Sequence, residues 1–232
     1  MITPRQLDPE SDDPQVPRAP LPPGPPLLYL VDTRTSAPPA AAPPLLDAIE
    51  SRRAAALRRP EDRRAYVGAH IALRRVLGAH LERTPAGLEF VRETCPTCGG
   101  PHGRPAVAEG GVHFSLSHGG GLALIALAAT PVGADVERLP VSEVVTETMG
   151  VLHPDETAQL TRLPGAGRPA AFARAWTRKE AYLKGLGTGL SRDPNLDYVG
   201  TGPEPAGGLP GWTLHDVAVP AGYAGAVAVA AG

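Results

Sequence analysis

Thirteen of the chain's 28 prolines lie before residue 45. A proline has no amide hydrogen to give to a helix or a ladder, and its ring restricts the residue before it. This spacing excludes helices and interior strands from most of the N-terminal segment. The first uninterrupted apolar run is "LLYLVDT" at 27–33, which reads as a strand. Residues 1–25 read as a flexible, Pro-rich extension, with regular folding expected from residue 26.

Beyond a second Pro-rich loop, the spacing predicts helices over 45–58 and 62–81. Asp62 stands in a capping position, and Tyr66, Ile71, Leu73, Val76, Leu77 and Leu81 form an apolar stripe. Strand candidates follow in "LEFVRE", "VHFSLS", "LALIALAA" and "VGADVE". A second helical region covers 141–185, interrupted near "LPGAGRP". "WTLHDVAV" and "GYAGAVAVAA" read as a closing hairpin turning at 220–222. Strand, helices and strands are thus followed by helices and strands again. The order predicts an α+β fold of two similar halves, 26–129 and 130–232.

Hydrophobic residues make up 42% of the chain and aromatics only 4%, so Ala, Val and Leu must build the core. A net charge of −2 gives no pull toward nucleic acid or membrane. No apolar run reaches the roughly 18 residues of a membrane span. "ITPRQLDPESDDP" lacks the regions of a signal peptide. The chain reads as a cytoplasmic monomer.

The 22 cationic residues are 20 Arg and two Lys, and both lysines fall in "AWTRKEAYLKGLGTGL". Lys is a compact point charge and Arg a planar fork, so this stretch is where a site could require the former. On a helix, Phe172, Trp176, Glu180 and Lys184 share one face, and the two aromatics should turn it inward. The bland reading is a surface Glu–Lys pair worth about 0.2–0.5 kcal/mol. Gly185, Gly187 and Gly189 then end the helix. On "VGADVE", Asp135 and Glu137 face the same side of a strand. An exposed polar strand face is one reading; a pair of oxygen ligands for a hard cation such as Mg²⁺ is the other.

Three further stretches carry chemistry. In "FSLSHGGG", Ser117 and His118 are strand neighbours whose side chains diverge, which excludes a serine-hydrolase pair. His118 and nearby amides could instead hold a phosphate, or His118 could be a structural turn residue. In "CPTCGGPHGRP", Cys95, Cys98 and His102 have the spacing of half a zinc site, with His113 or His118 as candidates to complete it. A solitary C-x-x-C in a loop is ordinarily incidental, and the cysteines are expected to be dispensable for chemistry. In its last residues, Gly103 leaves space, Pro105 rigidifies the turn, and Arg104 offers a phosphate fork. The Arg-rich run "ESRRAAALRRPEDRR" is either a solvated face or a basic wall for a polyanionic ligand. Without interleaved aromatics it does not read as a nucleic-acid surface.

Taken in order, "GRP", "FSLSH", "VGADVE" and "WTRKEAYLKGLGTGL" resemble the motifs of the Sfp-type 4′-phosphopantetheinyl transferases, and the cysteine-containing form looks like that of actinobacterial members. The resemblance covers about residues 27 to 231. It implies two pseudo-twofold α+β halves with coenzyme A at their junction. It further implies that Asp135, Glu137 and Glu180 hold Mg²⁺, that Glu180 takes the proton of the attacking serine, and that Lys184 lies near the phosphates. That serine belongs to an apo acyl or peptidyl carrier protein. Arg104, Ser117 and His118 would contact the coenzyme's phosphates. Relatives carry a basic residue near Ala65, where this chain has Arg63 and Arg64, and another close to Arg53. Coenzyme contacts are therefore expected from Arg53 and Arg64. Lys179 is expected to position the helix or the carrier. Ala134 stands where relatives have a branched residue, and Ser115 where many have Asn. The alternatives are a non-catalytic carrier-binding module and a small zinc-binding regulatory protein.

Overall fold

The computed structural model describes residues 1–8, 16, 21, 24–34 and 45–232. The elements in chain order are β1 (Arg5–Leu7), β2 (Leu27–Asp32), α1 (Ala48–Ala56), α2 (Pro60–Leu81), β3 (Phe90–Arg92), β4 (Pro105–Val107), β5 (His113–Gly119), β6 (Leu122–Ala128), β7 (Val132–Arg138), α3 (Ser142–Thr148), α4 (Pro154–Arg162), α5 (Arg168–Leu186), β8 (Trp212–Asp216) and β9 (Tyr223–Ala230). The architecture is mixed α+β.

The strands form a four-stranded sheet ordered β1-β2-β6-β5, a three-stranded sheet ordered β7-β9-β8, and the β3-β4 hairpin. β1 runs parallel to β2, and the other pairings are antiparallel. The alternation along β6 explains how the layers stack. Ala123, Ile125 and Leu127 pack with Leu73, Val76 and Leu77 of α2. Leu122, Leu124 and Ala126 pack with Ala134, Val136 and Val227 of the second sheet. On that sheet's other face, Ala226 and Ala228 meet Phe172, Ala175 and Tyr182 of α5. A strand buried on both faces reads as a continuous apolar run, as "LALIALA" does.

The expected flexible extension is corrected at its start. Arg5, Gln6 and Leu7 pair with Tyr29, Leu30 and Val31, Leu7 is buried, and Ile2 bridges Val217. Edge strands tolerate prolines beside them because one side of the ladder is unused. Most of the rest of 1–25 lies outside the described residues, as do 35–44.

Asp62 is not the cap of α2. That helix begins with Pro60 in its first turn and Arg59 in the cap position, which places Asp62 inside the first turn. The capping work is done at α1, where the Asp47 carboxylate accepts from the Ile49 and Glu50 amides and Glu50 accepts from the Asp47 amide. The fully buried Arg74 of α2 then binds Glu50 at 2.7 Å and Asp47 at 3.0 Å, fixing α1 to α2. The expected helical region over 141–185 divides into α3, α4 and α5. The closing hairpin is present as β8 and β9, with a positive φ at Gly222.

Candidate active site

Helix α5 crosses β7 at two glycines. A Cβ on Gly133 would overlap the Ala181 carbonyl and the Gly185 amide, and one on Gly185 would sit 2.5 Å from the Trp212 ring. This close approach sets the last turns of α5 against the strand that carries Asp135 and Glu137. Phe172 and Trp176 stack with centroids 6.1 Å apart, so the aromatic half of that helix face is packed as its spacing predicts. Gly187, at φ 81°, ends the helix by donating to the Leu183 and Lys184 carbonyls.

Lys184 Nζ donates to Asp135 Oδ1 at 2.6 Å and to Ser117 Oγ at 3.2 Å. Asp135 is buried, and its second oxygen, Oδ2, has no hydrogen-bond partner. Burial and then the Asp135 charge push the Glu137 carboxyl up to about 7, with Glu180 adding to the rise and Lys184 opposing it. Burial raises the Glu180 carboxyl as well, against Lys184 and with Asp135. Three mutually repelling carboxylates and one ammonium therefore share a single locus, and ionisation of all three calls for more positive charge than Lys184 supplies. Asp135, Glu137 and Glu180 are not drawn into a tight triad. Among the described residues, the one group of three His, Cys, Asp or Glu side chains whose ligand atoms all lie within 4.8 Å of one another is Cys95, Cys98 and His102. The donor set nevertheless fits a hard divalent cation: every donor is an oxygen, and one buried carboxylate oxygen lacks a partner.

The two lysines of "AWTRKEAYLKGLGTGL" do different work. Lys179 is buried, pairs with Glu156 of α4 at 2.8 Å and donates to the Asp197 carbonyl. Glu156 also accepts the amides of Val199 and Gly200. Lys179 thus fastens α5 to α4 and to the following loop, and burial lowers its pKa. Arg178, beside it, holds Asp216 with two bonds of 2.7 and 2.6 Å and fills its remaining donors with carbonyls, a geometry that suits a fork.

Ser117 is engaged within the protein. Its hydroxyl donates to Asp135 Oδ1 at 2.8 Å and accepts the Val136 amide at 3.4 Å. Ser115 accepts the Ala134 amide at 3.0 Å in the same way. The two serines of β5 satisfy β7 amides across the sheet junction, and Ser117 in addition orients the metal-candidate carboxylate. Arg104 is also engaged: it donates twice to Glu93 Oε2 and once to the Gly185 carbonyl at 2.6 Å. Its fork ties the β3-β4 hairpin to the end of α5. Gly103 is required there, since a Cβ would lie 2.5 Å from the Glu93 carbonyl oxygen.

His118 lines a cavity of about 350 Å³ with Arg53, Tyr66, His70, Phe90 and Arg92. His70 stacks on Tyr66 with centroids 3.9 Å apart, and His118 meets Tyr66 edge-on at 6.2 Å. Tyr66 Oη is buried beside Arg53. Arg53 is brought to this cavity. Arg64 is exposed on α2 and does not line it, while Arg63 donates to the Ala54 and Leu57 carbonyls and closes the α1-α2 turn. Sequence reasoning missed His70 and Tyr66. Tyr66 reads in the sequence as part of the apolar stripe, and the spacing of one helical turn between the two is the available signal.

A profile of the 4′-phosphopantetheinyl transferase superfamily matches residues 131–209, the segment from the start of β7 through α5 and the loop after it. The chain is 34% identical over 179 residues to the 4′-phosphopantetheinyl transferase HetI of Nostoc sp., an alignment covering 74% of this chain and 73% of that protein. It is 34% identical over 92 residues to the 4′-phosphopantetheinyl transferase psf-1 of Bacillus pumilus, covering 39% of each. It is 30% identical over 90 residues to the 4′-phosphopantetheinyl transferase gsp of Aneurinibacillus migulanus, covering 38% of this chain and 37% of that one. The chain belongs to the 4′-phosphopantetheinyl transferase superfamily and is a transferase of that class. No helix among the described residues is long and apolar enough to cross a membrane.

Proposed function

We propose that this protein transfers the 4′-phosphopantetheine group of coenzyme A to a serine hydroxyl of apo acyl or peptidyl carrier proteins, in a Mg²⁺-dependent reaction that releases 3′,5′-adenosine bisphosphate. The observation that carries this reading is the buried Asp135 carboxylate, with one oxygen on Lys184 and the other unpartnered, beside Glu137 and Glu180. Asp135, Glu137 and Glu180 would hold Mg²⁺, which supplies charge neutralisation on a pyrophosphate. Glu180, raised by burial, is suited to accept the serine proton as the hydroxyl oxygen bonds to the β-phosphorus of coenzyme A. The bond that breaks joins that phosphorus to the bridging oxygen, and the electron pair leaves with the adenosine bisphosphate. Lys184 places a compact positive charge beside the reacting phosphates.

The cavity between Arg53, Tyr66, His70 and His118 is the proposed seat of the coenzyme's nucleotide end, with aromatic faces for a base and a guanidinium for a phosphate. Arg104 reaches a phosphate by trading its Glu93 pair, and Ser117 acts through Asp135. Arg64 would contribute from the rim of α2. A second cavity, of about 360 Å³, is bordered by Glu137, Val144, Val151, Phe172 and Trp176. Val144 and Val151 are exposed, and this apolar face suits a protein partner arriving next to the carboxylates. The two helix-on-sheet layers are read as pseudo-twofold halves, with the proposed site at their seam.

The reading is tested by following adenosine bisphosphate release from coenzyme A with and without an apo carrier. Release that requires both Mg²⁺ and the carrier supports it; release without the carrier would indicate a hydrolase instead. The membership shown by HetI does not favour either alternative, the non-catalytic module or the zinc-binding regulator.

A further inference from the structure

The sequence motif that the transfer reaction does not use is "CPTCGGPH". In the structure its eight residues form the tip of the β3-β4 hairpin, and their donors converge. Cys98 Sγ lies 2.9 Å from His102 Nε2, and the Cys95, Cys98 and His102 donor atoms are all within 4.8 Å of one another. The backbone between them is wound as a turn, with the Cys95 amide on the Gly100 carbonyl at 2.8 Å and the Gly99 amide on the Cys95 carbonyl at 2.9 Å. Gly99 has φ 72°, a conformation that favours glycine.

One amide of this turn points at sulfur. Gly100 donates to Cys98 Sγ at 3.4 Å. Gly100 also keeps the ligand atoms close. A Cβ there would lie 2.9 Å from His102 Cδ2, 3.1 Å from His102 Nε2 and 3.3 Å from Cys98 Sγ. The site does not recruit the completing ligands suggested by spacing: His113 lines a cavity with Glu93 and Arg104, and His118 lines the cavity of Tyr66 and His70.

We propose that Cys95, Cys98 and His102 bind a structural Zn²⁺ ion. Two thiolates and an imidazole suit a borderline-soft ion that prefers tetrahedral N and S donors, with the fourth position left to solvent. Its role is mechanical. β3 and β4 are three residues each, too short to be stable as an isolated hairpin. The ion closes the far end of the hairpin, while Arg104 and Glu93 at the near end clamp Gly185 of α5. The ion thereby fastens the hairpin that delivers Arg104 to the end of α5. This inference does not rest on the proposed reaction.

The test uses the full-length chain, purified under reducing conditions without chelators and analysed for metal content. One zinc per chain is expected. Replacing it with Co²⁺ should give the visible ligand-field bands of a tetrahedral site together with thiolate-to-cobalt charge transfer. Cys98 and His102 are exposed, so Cys98→Ser and His102→Ala should fold yet lose the zinc and the cobalt spectrum. A chelator should lower the thermal midpoint of the wild type and leave those variants unmoved. The proposal is overturned if the reduced wild type neither retains zinc nor gives a tetrahedral cobalt spectrum. Zinc retained equally by wild type and both variants would also overturn it.

Discussion

Lys184 Nζ stands 2.6 Å from one oxygen of the Asp135 carboxylate, and the other oxygen of that carboxylate is buried with no hydrogen-bond partner. In the proposed reaction this second oxygen is a ligand of Mg²⁺. The lysine satisfies one side of the acid and leaves the other without a partner. Asp135→Asn keeps the shape and removes the charge. It is expected to raise the Mg²⁺ concentration needed for half-maximal transfer by at least about tenfold, equivalent to about 1.4 kcal/mol. Rate measured against Mg²⁺ concentration checks this, and a wild-type profile would remove Asp135 from the ligand set.

On the proposed reading, Lys184 and Lys179 separate function from stability. Lys184→Arg brings a planar fork to a position where the ammonium fits between Asp135 and Ser117, and kcat/KM is expected to fall at least about tenfold with the thermal midpoint little changed. Lys179→Arg puts a larger group into a fully packed pocket beside Glu156. Overpacking of that kind costs about 1–3 kcal/mol. For a chain of this size each kcal/mol lowers the thermal midpoint by about 2–4 °C. Steady-state transfer and thermal melts on both variants check the split; equal activity losses at equal stability would contradict it.

Deleting residues 1–8 removes β1, the buried Leu7 and the bridge from Ile2 to Val217. Loss of the leucine's burial alone is worth about 1.5–3 kcal/mol. Urea unfolding should show a lower midpoint, whereas the Pro-rich composition alone would predict none. An unchanged midpoint would show that β1 contributes nothing in solution.

Burial pushes the His70 imidazole down to about 4, although its bond to the Tyr66 carbonyl works the other way; His118, Arg53 and Arg74 add to the lowering. Between about 6.5 and 4 the unfolded chain therefore binds a proton here that the folded chain does not. The stability this group contributes is complete above pH 6.5 and is lost as pH falls toward 4. Unfolding free energies of wild type and His70→Gln should converge across that window as pH falls. A difference that stays constant with pH would mean that His70 titrates normally.

The helices, the closing hairpin and the strands of the central run were legible because each carries its own period or turn chemistry. β1 was not, because three residues between prolines have no period, and their order comes from pairing with β2. Asp135, Glu137, Glu180 and Lys184 were legible as faces of a strand and a helix, and packing at Gly133 and Gly185 joins those faces. The roles of Ser117 and Arg104 were not legible. Spacing shows that a hydroxyl or guanidinium is present, but only the tertiary fold shows that Asp135 and Glu93 have already engaged them. The part Arg63 plays in closing the α1-α2 turn was likewise visible only in the fold.

The central claim is covalent transfer to a carrier serine, and intact-mass spectrometry of the carrier tests it most directly. An apo acyl or peptidyl carrier protein is incubated with the wild-type chain, coenzyme A and Mg²⁺, alongside a carrier whose acceptor serine is replaced by alanine. The account predicts that the first gains the mass of one phosphopantetheine and the second gains none, with the gain lost when Glu180→Gln replaces the wild type. Recovery of several apo carriers unchanged, from a folded wild-type protein that binds coenzyme A, would contradict it.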